Sequence, residues 1–117
     1  MIIRVKNLRL RTIIGILDWE RKKRQDVVVN LEIEFDGSPS AQSDEIQDSV
    51  DYKTITKQII QLVESSRFHL LEKLCAAIVE SIMEDERVCR ARAEVDKPHA
   101  LRFADSVSME ASAERSR

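Results

Sequence analysis

The sequence predicts an α+β fold whose elements run β-β-α-α-β-β, a four-stranded antiparallel sheet with two helices on one face. Two periodicities carry that reading. Residues 26–35, "DVVVNLEIEF", set Val27, Val29, Leu31, Ile33 and Phe35 on one side against Asn30, Glu32 and Glu34 on the other. Between Asp51 and Asp85, apolar residues instead recur at the spacing of a helix stripe. A third observation bears on function. Lys97 closes a later alternating run on the parity of the apolar residues Cys89, Ala91, Ala93 and Val95.

Residues 2–14, "IIRVKNLRLRTII", alternate but slip phase near Asn7. Ile3 and Val5 lead, then Leu8, Leu10 and Ile14 take over the face, which predicts a β-bulge. Gly15 and "DWERKKRQ" form a turn, so the first two strands make a long antiparallel hairpin. "DGSPSAQSDEIQDS" is rich in turn formers and is expected to be a connecting loop. The first helix is expected from near Asp51 to Ser65, with Ile55, Ile59, Leu62 and Val63 as its stripe. The second is expected from His69 to Asp85, with Leu70, Leu71, Leu74, Ile78 and Ile82; "SSRF" breaks the pattern between them. Val88 to Lys97 forms the third strand, ended by Pro98, and "SVSMEASA" the fourth, leaving "ERSR" as a frayed tail. Such a sheet has two open edges. Open edges invite pairing, and a homo-oligomer built by continuing the sheet from chain to chain is expected.

The 117 residues make one domain, 1–117, with a modest core. A net charge of −2 with mixed signs argues against a dedicated nucleic-acid binder. Cys75 and Cys89 fall in different elements without metal-type spacing, as expected of a reduced intracellular protein. Arg4 and Lys6 interrupt the first apolar stretch, so it does not read as a signal peptide. No apolar run is long enough to span a membrane, and a soluble, cytoplasmic protein is expected.

Four residues at element ends stand out, where small folds commonly assemble sites. A strand-end lysine such as Lys97 can simply snorkel to water, or, held out of water, can exchange protons near neutrality. Glu72, in the first turn of the second helix, is favoured by the helix dipole, and an ionised carboxylate there can accept two parallel N–H bonds. Tyr52 is the only tyrosine; taken alone, packing explains it. Glu20 sits among Arg21, Lys22, Lys23 and Arg24, where a solvated charged turn is the ordinary reading. His99 and Arg102 follow Lys97 and either hold an anion or lie exposed. The residues alone give a small oligomeric α+β protein with an acid–base cluster and name no substrate.

Five blocks in order, "IIRVKNLRLRTIIGI", "RQDVVVN", "DYKTITKQII", "SRFHLLEKL" and "DKPHALRFADSVSM", resemble the dihydroneopterin aldolase family over nearly the whole chain, most strongly its dihydroneopterin triphosphate 2′-epimerase branch. The resemblance implies the tunnelling fold (T-fold), whose subunits close into an oligomeric barrel, as a tetramer or octamer with sites between subunits. It implies Lys97 as base, Tyr52 as proton relay and Glu20 as the lysine's tuning partner. Glu72 would anchor the pterin, Leu71 and Val50 would offer it backbone groups, and His69, His99 and Arg102 would complete the substrate-binding set.

The implied chemistry needs no metal or cofactor, because the dihydropterin ring's own C=N bond takes up the electrons. A base removes the 2′-hydroxyl proton, the C1′–C2′ bond breaks, and an enamine remains on the pterin. Protonation at C1′ completes the aldolase reaction, whereas re-addition to the aldehyde's other face gives the epimer. "DWE" is aldolase-like and "HALRFADSVS" epimerase-like; Lys53 and "RKKR" add cations for a triphosphate. A rival reading is a non-catalytic oligomeric module that binds pterin or, through "RVKNLRLR" and "RKKR", a polyanion; net acidity and only five aromatics weigh against RNA. The expected partners are therefore a small pterin and further copies of the chain, not nucleic acid or membrane.

Overall fold

A computed structural model describes residues 1–116. Strands β1 (Ile2–Thr12), β2 (Gln25–Phe35), β3 (Val88–Pro98) and β4 (Ser106–Glu114) form one antiparallel sheet in the order β1-β2-β3-β4. The bulge expected near Asn7 is present. The β1–β2 register shifts between Val5 and Leu8, Asn7 takes a φ of 54°, and its N–H donates to Asn30 Oδ1 at 2.9 Å. An asparagine tolerates that left-handed backbone better than a branched residue, which is why the slip falls there.

Two long helices, α3 (Tyr52–Ser65) and α4 (Leu71–Met83), cover the apolar face of the sheet. Val27, Val29, Leu31 and Ile33 of β2 are at most 1% exposed and meet Ile55, Ile59 and Val63 of α3 and Leu74, Cys75, Ile78 and Ile82 of α4. Asp51 caps α3: its carboxylate accepts from the N–H groups of Lys53 and Thr54 and from the Thr54 hydroxyl. The Thr54 hydroxyl and N–H, reinforced by Lys53, hold the Asp51 carboxyl below its ordinary pKa.

Several expectations need correction. Residues 36–49 are not a plain loop: α2 (Ser38–Ser43) opens at Gly37 with Pro39 in its first turn, and a 3₁₀ turn follows over Ile46–Asp48. The charged turn contains a single helical turn, α1 (Asp18–Lys22). Helix α4 begins at Leu71, so His69 and Leu70 precede it and are exposed. Cys89 is only half-buried and Val88 takes the core position, because the β2–β3 register shifts at Glu34/Phe35.

The C-terminal segment does not fray at its start. Glu114 pairs with Arg90, and the Arg115 N–H donates to Cys89 O at 2.8 Å. Its guanidinium donates to the carbonyls of Met83 (2.7 Å), Val88 (3.2 Å) and Asp85 (3.3 Å). A cation on the terminal carbonyls of α4 is favoured by the helix dipole. Residue 117 lies outside the described residues.

One buried polar link joins β1 to the helix layer. Thr12 is 0% exposed, and its hydroxyl donates to Val63 O at 2.6 Å at the C-terminal end of α3. Thr12→Val keeps the shape and removes this bond, while Val63 O still accepts from the Ser66 hydroxyl (2.8 Å) and N–H (3.2 Å), so unfolding stability in urea should fall by about 0.5–1.5 kcal/mol with an unchanged m-value.

Candidate active site

The loops at one end of the sheet gather most of the candidate residues. There β1 ends, β2 begins, β3 ends and β4 begins. Strand parity turns Lys97 toward the helix side, as the sequence reading expects. Its Nζ lies 2.5 Å from Glu20 Oε2, with the two side chains 13% and 8% exposed. Burial pushes the Glu20 carboxyl up, but the Lys97 hydrogen bond and charge, the Leu17 N–H (3.1 Å) and Gln25 Nε2 (3.4 Å) outweigh it and hold its pKa below the ordinary value. Glu20 is therefore not a solvated turn residue.

Gly15 makes this placement possible. Its φ is 130°, and a Cβ built on it would lie 2.2 Å from the Glu20 carboxyl carbon and 2.4 Å from each carboxylate oxygen. A side chain there would also be conformationally strained. Arg21, the next residue along α1, ties this loop to the segment before α4. Its guanidinium donates to Gly15 O and Phe68 O at 3.0 Å each and to Arg67 O at 2.5 Å, while Gly15 N–H donates to Phe68 O at 3.3 Å. The Lys97–Glu20 pair and the start of α4 are thus held as one unit. Nothing in the linear sequence marks Gly15, Arg21 or Gln25 for these roles.

Leu71 opens α4 and Glu72 follows it, exposed, at the same end of the sheet as Lys97. No side chain caps α4 at Leu70, so the first-turn N–H groups lack a side-chain acceptor. His69 is exposed in the segment before it. His99 follows Pro98 with a φ of 64°, and Arg102 lies over the Phe103 ring at 5.6 Å from its centroid; all three side chains are exposed.

Tyr52 and Val50 stand apart. The C-terminal end of α3 is fixed at the Lys97 end by Thr12 and by Arg24, which donates to Glu64 O at 2.9 Å. Tyr52 opens the other end of this 14-residue helix, about 20 Å away along the axis. Its side chain is half exposed, whereas Val50 just before the helix is buried. One chain does not bring Tyr52 to Lys97.

Cys75 is fully buried, and burial pushes its thiol up, which makes it a packing group rather than a nucleophile. Among the described residues, no group of three or more His, Cys, Asp or Glu is placed to hold a metal ion. Among the same residues, no helix is long and apolar enough to cross a membrane.

The depressed Glu20 pKa fixes the sign of a pH effect. Between its folded value and the ordinary 4.5 the unfolded chain binds the extra proton, so stability rises with pH there. The contribution is complete above that range and disappears as pH falls through the folded value. The stability difference between the protein and Glu20→Gln should therefore be constant near neutrality and shrink on acidification below about pH 4.5, as read from denaturation midpoints.

Comparison with known proteins places these features in a lineage. The family model for dihydroneopterin aldolase (FolB) matches residues 3–112. The dihydroneopterin triphosphate 2′-epimerase of Escherichia coli strain K12 is 50% identical over 114 residues, covering 97% of this chain and 95% of the relative. The dihydroneopterin aldolase of the same strain is 29% identical over 108 residues, covering 92% and 88%. Among solved structures, E. coli dihydroneopterin aldolase in complex with neopterin superposes with a TM-score of 0.91 at 27% identity, covering 97% of this chain and 98% of that one. With sheet, helices and chain length all matched, this chain belongs to the dihydroneopterin aldolase family.

Proposed function

We propose that the chain, as one domain over residues 1–117, is a dihydroneopterin triphosphate 2′-epimerase acting by retro-aldol cleavage and aldol re-addition. The observation that carries this reading is the inward-facing Lys97 ammonium, 2.5 Å from a buried carboxylate and at the same end of the sheet as Glu72. Identity of 50% to a protein named as the epimerase, against 29% to one named as the aldolase, favours epimerisation over simple cleavage.

Glu72 accepts two N–H bonds from the pterin's amino-pyrimidine edge, and the first-turn N–H groups beginning at Leu71 meet its carbonyl. In its amine form, its own proton having passed to water, Lys97 takes the 2′-hydroxyl proton through a bridging water and returns it on re-addition, and Glu20 orients it. The C1′–C2′ bond then breaks, its electron pair passes into the ring's C=N bond, and C2′ becomes an aldehyde. Tyr52 assists protonation at C1′ when the fragments part. Re-addition on the aldehyde's opposite face inverts C2′.

Tyr52 and Val50 reach this centre from a second copy. Three features support that assembly. Tyr52 is a helix length from its own Lys97. The radius of gyration, 15.5 Å, exceeds the ~13 Å of a compact chain this long. The inward residues of edge strand β4 are only half-covered. Since β1 and β4 run antiparallel, head-to-tail pairing of copies continues the alternation into a closed barrel, a tetrameric ring or a stacked octamer, in the cytoplasm.

Incubation with dihydroneopterin triphosphate should yield the monapterin triphosphate. Hydroxymethylpterin alone from either substrate would instead make the protein an aldolase. Lys97→Ala should abolish both products; in a Glu20→Gln background the same change leaves no stranded buried charge, so lost turnover cannot be blamed on unfolding. Glu72→Ala should weaken pterin binding by about 10- to 100-fold, the value of a lost charge-assisted pair. Lys97→Ala and Tyr52→Phe chains, each impaired alone, should regain activity when unfolded and reassembled together. No regain would place the whole site within one chain.

A further inference from the structure

On the opposite face of the sheet, at the same end, lies a cavity of about 510 Å³ lined by Arg9, Arg11, Asp26, Val28, Pro98 and His99 among others. Arg9 and Arg11 alternate with Leu10 and the buried Thr12, so they project away from the helices. Arg11 is already engaged, 3.3 Å from Asp26 and donating to Arg24 O at 3.3 Å. Arg9 is different. Its guanidinium makes no hydrogen bond or ion pair with any described residue. His99, also unpartnered among the described residues, faces the same space from the β3–β4 loop.

The cavity adjoins the reacting centre through the chain itself. Lys97 points to the helix side and His99 lines the far side, with Pro98 rounding the strand end between them. Two residues span at most about 7 Å. A ligand whose reacting carbon sits at Lys97 can pass its tail around that end and into the cavity. A linear triphosphate is the tail whose chemistry fits: guanidinium forks match phosphate oxygens, and imidazole adds an N–H donor.

We propose that Arg9, Arg11 and His99 bind the triphosphate of the substrate and retain the cleaved aldehyde fragment between bond breaking and re-formation. The inference rests on the epimerase reading and gives it a physical basis. Cleavage of C1′–C2′ leaves the triphosphate on the two-carbon aldehyde, joined to the pterin by no bond. Without an anchor the fragment diffuses away, C1′ is protonated, and the outcome is cleavage. Anchored by its phosphates, the aldehyde can turn its other face to the enamine carbon, which supplies the electron pair for the new C–C bond.

Arg9→Gln is the decisive variant, because Arg9 holds nothing else in the fold. With the triphosphate substrate, the ratio of hydroxymethylpterin to epimer should rise, and the preference in kcat/KM for triphosphate over dihydroneopterin should fall about 10- to 100-fold. A merely structural role would lower turnover of both substrates and leave the product ratio unmoved, which overturns the proposal. His99→Ala should shift the ratio in the same direction. Inorganic tripolyphosphate should compete with the triphosphate substrate; non-competitive inhibition would mark a separate site for free polyphosphates or nucleotides and overturn it. Calorimetry of tripolyphosphate with the intact oligomer reads the cavity without turnover. Binding lost in Arg9→Gln upholds the anion site even if the protein epimerises nothing, and equal binding by the variant refutes it.

Discussion

The ion pair between Lys97 and Glu20 is the constraint around which this end of the molecule is built. Two charges this far out of water lose much of their hydration, and attraction at short range repays that only when the remaining hydrogen-bonding sites are filled. Here they are filled. Glu20 also accepts from the Leu17 N–H and from Gln25, whose own amide is fixed by donating to Ile14 O at 2.6 Å. Gly15 supplies the empty space for the carboxylate, and Arg21 keeps its loop against the segment that leads into α4. A well-packed apolar pair in the same volume would serve stability as well or better. The placement makes sense as a way to present one ammonium, held in one orientation, at the mouth of a ligand site.

On the proposed roles of Lys97 and Tyr52, the same constraint makes the site a shared one. Fixing the C-terminal end of α3 beside Lys97, through Thr12 and Arg24, sends Tyr52 to the far end of the molecule. In the proposed reaction a tyrosine placed there serves another copy's lysine. The loops around Lys97 expose Ile16, Leu17, Trp19, Leu70, Leu101 and Phe103, and the Tyr52 end exposes Ile46 and Tyr52 itself. Apolar residues gathered at both ends of an elongated subunit are what a head-to-tail seam requires.

Much of this was legible in the sequence because strands and helices write their periods plainly. The slip at Asn7 announced the bulge, and the parity of Lys97 announced its inward direction. What the sequence hid was set by contacts distant along the chain. Glu20 looked solvated among four cations; it is buried only because Gly15 leaves room and Lys97, 77 residues on, meets it. Arg115 looked like part of a loose tail, since only the folded chain brings it to the carbonyls ending α4. "SPSAQS" carries no apolar stripe, so the short α2 left no period to read, and His69 and Leu70 extended the α4 pattern past its true start. Cys89 shared the inner parity, but two residues of β3 stand against one step of β2 there, which gave that place to Val88.

The site proposed at Arg9 and Arg11 is one that a single period conceals. In a strand they are simply the polar half of an alternation. Their second meaning comes from where β1 ends, beside the turn that follows Lys97. An inner face that excludes water suits proton transfer, because a desolvated ammonium and carboxylate interact strongly and in one geometry. A triphosphate needs the reverse, a wet surface where its charge keeps partial hydration and meets cations at the edge of solvent. A strand end is a place where both environments lie within two residues of each other. On the proposed mechanism, retention of a fragment, rather than a different bond-breaking step, separates an epimerase from an aldolase built on the same lysine.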